Sequence, residues 1–293
     1  MIKRCISNLM CRVFPGQFSK RQFKKLLGQK LNLSNPVGLN EKITWLKLNT
    51  YKHNPLITKC SDKYAVREYI TECGCQEILN ELYGVWKKAE DICWEDLPTS
   101  FVLKCNHGCG YNFLCPDKKL INIDDACIKL NRWMREDYWL IFAEFQYKEI
   151  PKRIICEKYL GESIVDYKFY CFNGKPLYVL VCVGRSDGKQ SHSFGYEDPK
   201  FYFFNRDWEM CLLTKDSLEN PIDIEPPKTI EQMWKITEKL CEPFPFVRVD
   251  LYDANEKVIF GELTFTPSAG LDTGRLPETD RFLGELLILD KKE

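Results

Sequence analysis

Residues 246–267, FVRVDLYDANEKVIFGELTFTP, contain the pattern that decides the fold class. Two runs of alternating apolar and polar residues, separated by a short polar turn, predict a pair of β-strands. If the strands form a hairpin, Asp250 and Glu262 converge on one face. Arg248 joins them, because strand residues two apart point to the same side. The sequence therefore predicts two carboxylates and one guanidinium in a cluster on this hairpin.

Two chemical interpretations of this cluster stay open at the level of the residues. Two hard carboxylates that meet the phosphate oxygens of ATP would form a magnesium site. The alternative is a structural salt bridge at the end of a sheet, which isolated Asp, Glu and Arg residues commonly form.

The loop KCNHGCGYN, residues 104–112, is the second chemical signal. A lysine at the end of a strand supplies charge, and the following glycines let backbone N–H groups approach a polyphosphate. A zinc site is the alternative, and its candidate ligands are Cys105, His107, Cys109 and Cys115. Their spacing lacks a matching distant pair, which disfavours zinc.

The composition is that of a globular chain of about two domains. Of the 293 residues 44% are hydrophobic, and 42 basic residues balance 42 acidic ones, so no global field attracts nucleic acid. The 15 scattered cysteines favour a reducing compartment over a disulfide framework, so we expect a cytoplasmic protein. Walker-type and dinucleotide-binding glycine motifs are absent from the sequence, as is Asp-x-Asp.

The order of predicted elements, helices first and mostly antiparallel strands later, indicates the α+β class. Helices are expected at 2–13, from Ser19 onward, and at 40–45, 62–73, 124–145 and 229–241. Strands are expected at 101–103, 153–159, 166–172, 177–183, 201–204, 246–252 and 258–265. The dipeptide Asn173-Gly174 predicts a tight hairpin turn.

The order of the motifs resembles that of the ATP-grasp superfamily, most closely its TupA-like branch, which is associated with bacterial surface polysaccharide biosynthesis. Five segments carry the likeness: NEKITWLKL (40–48), SDKYAVREY (61–69), LPTSFVLKCNHGCG (97–110), DYKF (166–169) and FGELTFTP (260–267). The resemblance spans roughly residues 38–275. The third and fifth segments are the specific ones.

The resemblance implies an ATP-grasp fold of two α+β lobes that clasp ATP, preceded by N-terminal helices. The implied regions are a helical segment (1–60), a first lobe with a glycine-rich flap (61–157) and a second lobe with the magnesium site (158–293). The implied cofactors are ATP and Mg²⁺, with Mn²⁺ as an acceptable substitute.

The resemblance also implies which residues hold the nucleotide. Lys63 and Lys104 match two ATP lysines, and Asp166 lies near the expected ribose contact. The flap over the phosphates matches His107, Gly108, Cys109, Gly110 and Tyr111. The hinge that meets the adenine matches Glu157, Lys158, Tyr159 and Leu160.

Further roles follow from the same resemblance. The magnesium ligands match Asp250, Glu262 and Thr264, where Thr264 replaces the usual asparagine. Arg248 is aimed at the transferring phosphoryl group, and Lys168 is a phosphate or acceptor contact. We expect the acceptor beside the loop 184–192, which contains Arg185 and His192; a solvated hairpin loop is the alternative.

The implied reaction is ATP-dependent activation of a carboxylate as an acyl phosphate and its amide coupling to an amine, during capsule or O-antigen assembly. The substrates would be small molecules or saccharides. Two alternatives stay open: a kinase that phosphorylates a sugar hydroxyl, and a non-catalytic binding protein, which the departure at Thr264 suggests.

The N-terminal segment differs from the rest in charge. Residues 1–40 contain eight Lys or Arg and no acid, and the first helix is amphipathic, with Ile2, Cys5, Ile6, Leu9, Met10 and Val13 on one face. Either these helices pack on the body and show solvent a basic face, or they attach peripherally to the anionic inner face of the membrane. No stretch reaches the roughly 20 apolar residues of a spanning helix.

Overall fold

A computed structural model describes residues 2–161, 164–184 and 199–290. The α-helices are α1 (Ile2–Val13), α2 (Pro15–Leu27), α3 (Leu39–Leu48), α4 (Pro55–Ser61), α5 (Val66–Glu72), α6 (Ile123–Met134), α7 (Lys215–Glu219), α8 (Ile230–Cys241) and α9 (Pro277–Leu286). The strands are β1 (Leu82–Trp86), β2 (Phe101–Cys105), β3 (Asn112–Cys115), β4 (Ile154–Lys158), β5 (Asp166–Phe172), β6 (Lys175–Val183), β7 (Lys200–Phe204), β8 (Met210–Cys211), β9 (Phe246–Asp253) and β10 (Val258–Thr264).

A four-stranded antiparallel sheet, in the order β1-β4-β2-β3, carries the glycine loop. On β2, Phe101, Leu103 and Cys105 are fully buried on one side of the sheet, because strand side chains alternate. They pack in a hydrophobic cluster with residues of α6. Lys104 therefore lies on the other side, where it reaches Glu157 of β4.

A six-stranded antiparallel sheet, in the order β10-β9-β5-β6-β7-β8, carries the predicted carboxylate cluster. All seven residues of β5, which lies between β9 and β6, are buried, and Phe169 meets Trp234 of α8 edge to face at 4.8 Å. β5 and β6 are joined by Asn173 and Gly174 with φ of 51° and 76°. Both residues have the positive φ of a type I′ turn, so the hairpin prediction is confirmed.

Helices α3 to α5 pack into the same hydrophobic core as the six-stranded sheet. The Tyr51 hydroxyl donates to the carbonyl of Phe246 at 2.7 Å, and the Tyr69 hydroxyl donates to the carbonyl of Leu240 at 3.0 Å. Both phenols are thus satisfied inside the core. The division of the chain into 1–60, 61–157 and 158–293 stays a prediction.

The predicted helix over 124–145 is wrong in its second half. Helix α6 ends at Met134, and short 3-10 helices at Tyr138–Leu140 and Phe145–Tyr147 follow. Ala143 has φ of 58°, a left-handed conformation that an α-helix does not contain. The apolar residues of this segment pack instead against Cys11 and Phe18, so tertiary packing overrides the local periodicity.

The predicted helix over 62–73 begins later than expected because another helix precedes it. The Asn54 side chain caps α4 by accepting from the N–H groups of Leu56 and Ile57. The chain then turns at Asp62, whose carboxylate accepts from the N–H of Tyr64 at 2.8 Å. Helix α5 begins only after this turn.

The start of α2 and three of the strands differ from the prediction. Helix α2 begins at Pro15, a residue suited to the first helical position, so the predicted start at Ser19 is wrong. Phe23 of this helix is buried, whereas Leu26 is exposed. Strands β1, β3 and β8 were not predicted. Every other strand is present with ends within two residues of those expected.

Candidate functional site

The hairpin of β9 and β10 places the predicted cluster on one face. Glu262 pairs with Asp250 in the strand register, and Thr264 pairs with Arg248. The register shifts at Gly261, where an added Cβ would lie 2.9 Å from the backbone oxygen of Asp250. Glycine is therefore needed for this close approach, and the expected convergence of the side chains is confirmed.

Asp250 is the centre of the ion-pair network. Arg248 donates from Nε to Oδ1 at 2.7 Å and from Nη2 to Oδ2 at 2.6 Å. Lys168, directly across on β5, donates to Oδ2 at 2.8 Å and also pairs with Asp166. Burial opposes the charge on Lys168, but the carboxylates of Asp250 and Asp166 outweigh it and raise its pKa.

Glu262 is the more accessible carboxylate, with 34% of its side chain exposed. Its Oε1 accepts from the Thr264 hydroxyl at 2.8 Å, and its Oε2 lies 3.6 Å from Nζ of Lys63. Burial by itself would raise the Glu262 pKa, but Lys63, Arg248 and Lys168 lower it to about 2. Glu262 is thus ionised at neutral pH.

Lys63 links this hairpin to the glycine loop. Its ammonium donates to the carbonyl of Gly108 at 2.8 Å while facing Glu262. Gly110 has φ of 76°, a left-handed conformation that suits glycine. Cys109, between the two glycines, is exposed. The predicted flap residues therefore lie beside the predicted metal carboxylate.

The other flap residues are anchored in the four-stranded sheet's core. His107 is buried, its Nε2 lies 3.2 Å from the carbonyl of Trp133, and burial lowers its pKa to about 4. Tyr111 stacks on Trp133 and donates to Glu136 at 2.7 Å. Among the described residues no group of three or more His, Cys, Asp or Glu side chains is placed to hold a metal, so the zinc interpretation of this loop gains no support.

A second ionic cluster lies on the four-stranded sheet. The buried carboxylate of Glu157 accepts from Lys104 at 2.7 Å and lies 3.3 Å from Nη1 of Arg67. Arg67 also donates to the carbonyl of Asn80 at 2.9 Å. Sequence reasoning missed Arg67, although it lies four residues after Lys63 within the motif segment 61–69.

The remaining predicted residues are less central or lie outside the described residues. Lys158 is exposed and pairs weakly with Glu81 at 3.7 Å, while Tyr159 and Leu160 are half-buried. Asp166 is buried against Lys168 in the Asp250 network. Arg185 and His192 lie outside the described residues.

A family model described as TupA-like ATPgrasp matches residues 41–288, which include every described residue of both ionic clusters. The chain belongs to the TupA-like ATP-grasp family. Its sheets, helices and lysine-bearing glycine loop are accordingly those of an α+β ATP-grasp protein. A search of curated protein sequences gives no match.

Solved structures similar to this ATP-grasp protein include several ligases. D-alanine–D-alanine ligase from Bacillus anthracis complexed with ATP has 13% identity and a TM-score of 0.45, over 78% of this chain and 64% of that one. L-amino acid ligase from Bacillus licheniformis has 10% identity and a TM-score of 0.46, over 94% and 55%. Phosphoribosylamine–glycine ligase from Thermotoga maritima has 11% identity and a TM-score of 0.42, over 83% and 52%. The chain spans less than two thirds of each of these proteins.

The residues of the TupA-like protein fit a magnesium ion that arrives with nucleotide phosphates. Lys63, Lys168 and Arg248 face the carboxylates of Asp166, Asp250 and Glu262, so the cluster is close to neutral. A lone divalent cation would meet three cations here. Polyanionic phosphates would give those cations new partners and leave Asp250 and Glu262 free as ligands, and Mg²⁺ prefers a few carboxylates plus phosphates.

Proposed function

We propose that this protein is an ATP- and Mg²⁺-dependent ligase that joins a carboxylate to an amine. The carboxylate oxygen attacks the γ-phosphorus of ATP, which gives an acyl phosphate and ADP. The amine then attacks the acyl carbon, phosphate leaves with the bonding electrons, and the amine loses a proton as the amide forms. Such a reaction requires positioning and charge neutralisation more than a side-chain nucleophile.

The observation that carries the proposal is the alignment of three cations along one face, next to the glycine loop. Lys63, Lys168 and Arg248 all pair with carboxylates, so polyanionic phosphates can take over these pairings. Arg248 then neutralises charge on the transferring phosphoryl group. Lys63 holds the carbonyl side of the loop while backbone N–H groups meet the phosphates.

Asp250 and Glu262 would hold the magnesium ion, and Thr264 would orient a ligand water. When bound, the ion neutralises phosphate charge. The direct role of the protein here is to keep Glu262 ionised and in register with Asp250.

ATP would extend between the two ionic clusters, one on each sheet. In this proposal Lys104 binds the phosphates, and the hinge 157–160 meets the adenine. Asp166 holds the ribose. Arg67 positions Glu157, because its guanidinium lies 3.3 Å from that carboxylate.

Family membership supports a substrate from surface polysaccharide assembly, such as a uronic acid, with an amino acid or amino sugar as the amine. The free cysteines support a reducing cytoplasm, where ATP is available. Mn²⁺ would be able to substitute for Mg²⁺ at this site. The loop containing Arg185 and His192 is the proposed acceptor region.

Hydroxylamine trapping tests the proposal directly. The full chain is incubated with ATP, Mg²⁺ and a panel of uronic acids and amino acids, with hydroxylamine as the amine. We expect ADP and a hydroxamate in equal amounts. A phosphorylated sugar without hydroxamate would instead identify a kinase, and the absence of any carboxylate-dependent ADP release would favour a binding protein.

A pair of variants separates the site from general effects. Glu262→Gln removes a proposed metal ligand, and we expect hydroxamate formation to fall at least about a hundredfold. Glu278→Gln, an exposed change on α9, serves as the matched control and should match the unmodified protein. Equal rates in both variants would show that the proposed metal site is wrong.

A further inference from the structure

Helix α1 is fixed to the body through a face other than its most apolar one. Cys11 is fully buried and packs with Phe18 of α2 against Trp139 and Phe145. Leu9 precedes Cys11 by two residues, which at about 100° per residue places it on the opposite side of the helix. Ile6, Leu9 and Val13 of the expected apolar face are thus turned away from the core, whereas Met10 packs against it.

That outer face is an exposed apolar stripe. Ile6, Leu9 and Val13, spaced three and four residues apart, are 58%, 62% and 53% exposed. Phe14, between α1 and α2, is 56% exposed. Spacing of this kind gives one continuous surface on a helix, so these side chains form an unpartnered stripe in the described structure.

The segment that contains the stripe, residues 1–40, is basic and has no acidic residue. Residues 1–40 contain eight Lys or Arg and no Asp or Glu. Those whose side chains are described are all exposed: Arg4, Arg12, Lys20, Arg21, Lys24, Lys25 and Lys30. A second copy of the chain would bring this basic set against itself, whereas an anionic surface would complement it.

Charged side chains from outside the first two helices also lie beside α1. Arg12 lines a cavity of about 640 Å³ together with Lys52, His53, Lys148 and Glu149. Lys52 and Lys148 lie over the rings of Phe145 and Trp139 respectively. Arg12 pairs with Asp137 at 3.3 Å and Lys148 pairs with Glu149 at 3.2 Å, so the excess of basic residues beside the stripe comes from the first 40 residues.

We propose that the stripe of Ile6, Leu9, Val13 and Phe14 docks on an anionic lipid bilayer. The apolar side chains enter the headgroup boundary, while the basic side chains contact lipid phosphates. The attachment is peripheral: within the described residues no helix has both the length and the apolar character to cross a membrane.

Vesicle co-sedimentation of the full chain tests this docking. We expect binding to vesicles of phosphatidylglycerol and phosphatidylcholine in equal parts, weaker binding in high salt, and little binding to phosphatidylcholine alone. The double variant Leu9→Asp with Val13→Asp should bind at least about tenfold more weakly, because two exposed apolar side chains no longer enter the bilayer. Its thermal unfolding should be unchanged, since both positions are exposed.

Matched controls make the outcome specific. Ile128→Asp with Leu212→Asp replaces two equally exposed apolar residues elsewhere and should leave binding unchanged. Lys24→Glu with Lys25→Glu should weaken binding, whereas Lys235→Glu with Lys239→Glu on α8 should not. The proposal would be overturned if the unmodified protein did not sediment with the vesicles, or if both apolar double variants lost binding equally. It would also be overturned if the protein bound no vesicles but formed a dimer that Leu9→Asp dissociates.

Discussion

The two ionic clusters, one on each sheet, differ in how their charges are balanced. Around Asp250 three cations face three carboxylates, and Asp250 itself has only 3% of its side chain exposed. Around Glu157 two cations, Lys104 and Arg67, share one carboxylate and keep about a fifth of their side chains exposed. The first cluster can exchange partners when phosphates arrive, whereas the second retains an excess positive charge that suits an anion.

The largest effect is expected from a substitution that breaks the first cluster. Asp250→Asn removes the charge that Arg248 and Lys168 share inside the protein. We expect the free energy of unfolding to fall by about 3 kcal/mol, because Arg248 loses both hydrogen bonds to this carboxylate and Lys168 loses one of its two carboxylate partners. Urea denaturation measures this, with Glu278→Gln as the control. A loss no greater than that of the control would show that the cluster is not a stabilising unit.

A smaller effect is expected from the same change in the second cluster. Glu157→Gln leaves Lys104 and Arg67 without a carboxylate, but water still reaches both. The expected loss is about 1–2 kcal/mol by urea denaturation. If Glu157→Gln destabilises the protein more than Asp250→Asn does, the contrast in burial between the clusters does not control their energetics.

The smallest effect concerns acid stability, because 34% of the Glu262 side chain is exposed and solvent screens its ion pairs. The pKa of Glu262 is lowered from 4.5 to about 2, so its ionised form stabilises the native state above the unfolded pKa. This stabilisation is lost as the pH falls from about 4.5 toward 2. Glu262→Gln should therefore show a shallower loss of stability between pH 5 and pH 2 than the unmodified protein, measured by urea denaturation across this range.

If the free energy of unfolding falls equally between pH 5 and pH 2 in Glu262→Gln and in the unmodified protein, the lowered pKa of Glu262 is wrong. Asn220→Asp, an exposed change outside both clusters, is a control that adds a carboxylate without cationic neighbours from either cluster. Its loss of stability between pH 5 and pH 2 should match that of the unmodified protein, apart from the ordinary titration of a solvated side chain.

The hairpin of β9 and β10 was predictable in detail, because strand residues two apart point to the same side, which determines which side chains share a face. The segment after α6 was not predictable in this way. Its apolar periodicity continues past Met134, but Trp139 and Phe145 meet Cys11 and Phe18, more than a hundred residues earlier in the chain. Strand β1 was missed for a different reason: all five of its residues are half-buried, so no alternation marks it.

The sequence by itself determined the face that Arg248, Asp250 and Glu262 share, since strand alternation is a local property of the backbone. Only the tertiary structure decided which residues come from elsewhere to complete it. Lys168 arrives because β5 pairs with β9, and Lys63 reaches Glu262 from beside the glycine loop. Packing likewise decided which side of α1 turns outward. Local periodicity identifies an apolar face, but burial depends on distant residues that no local pattern specifies.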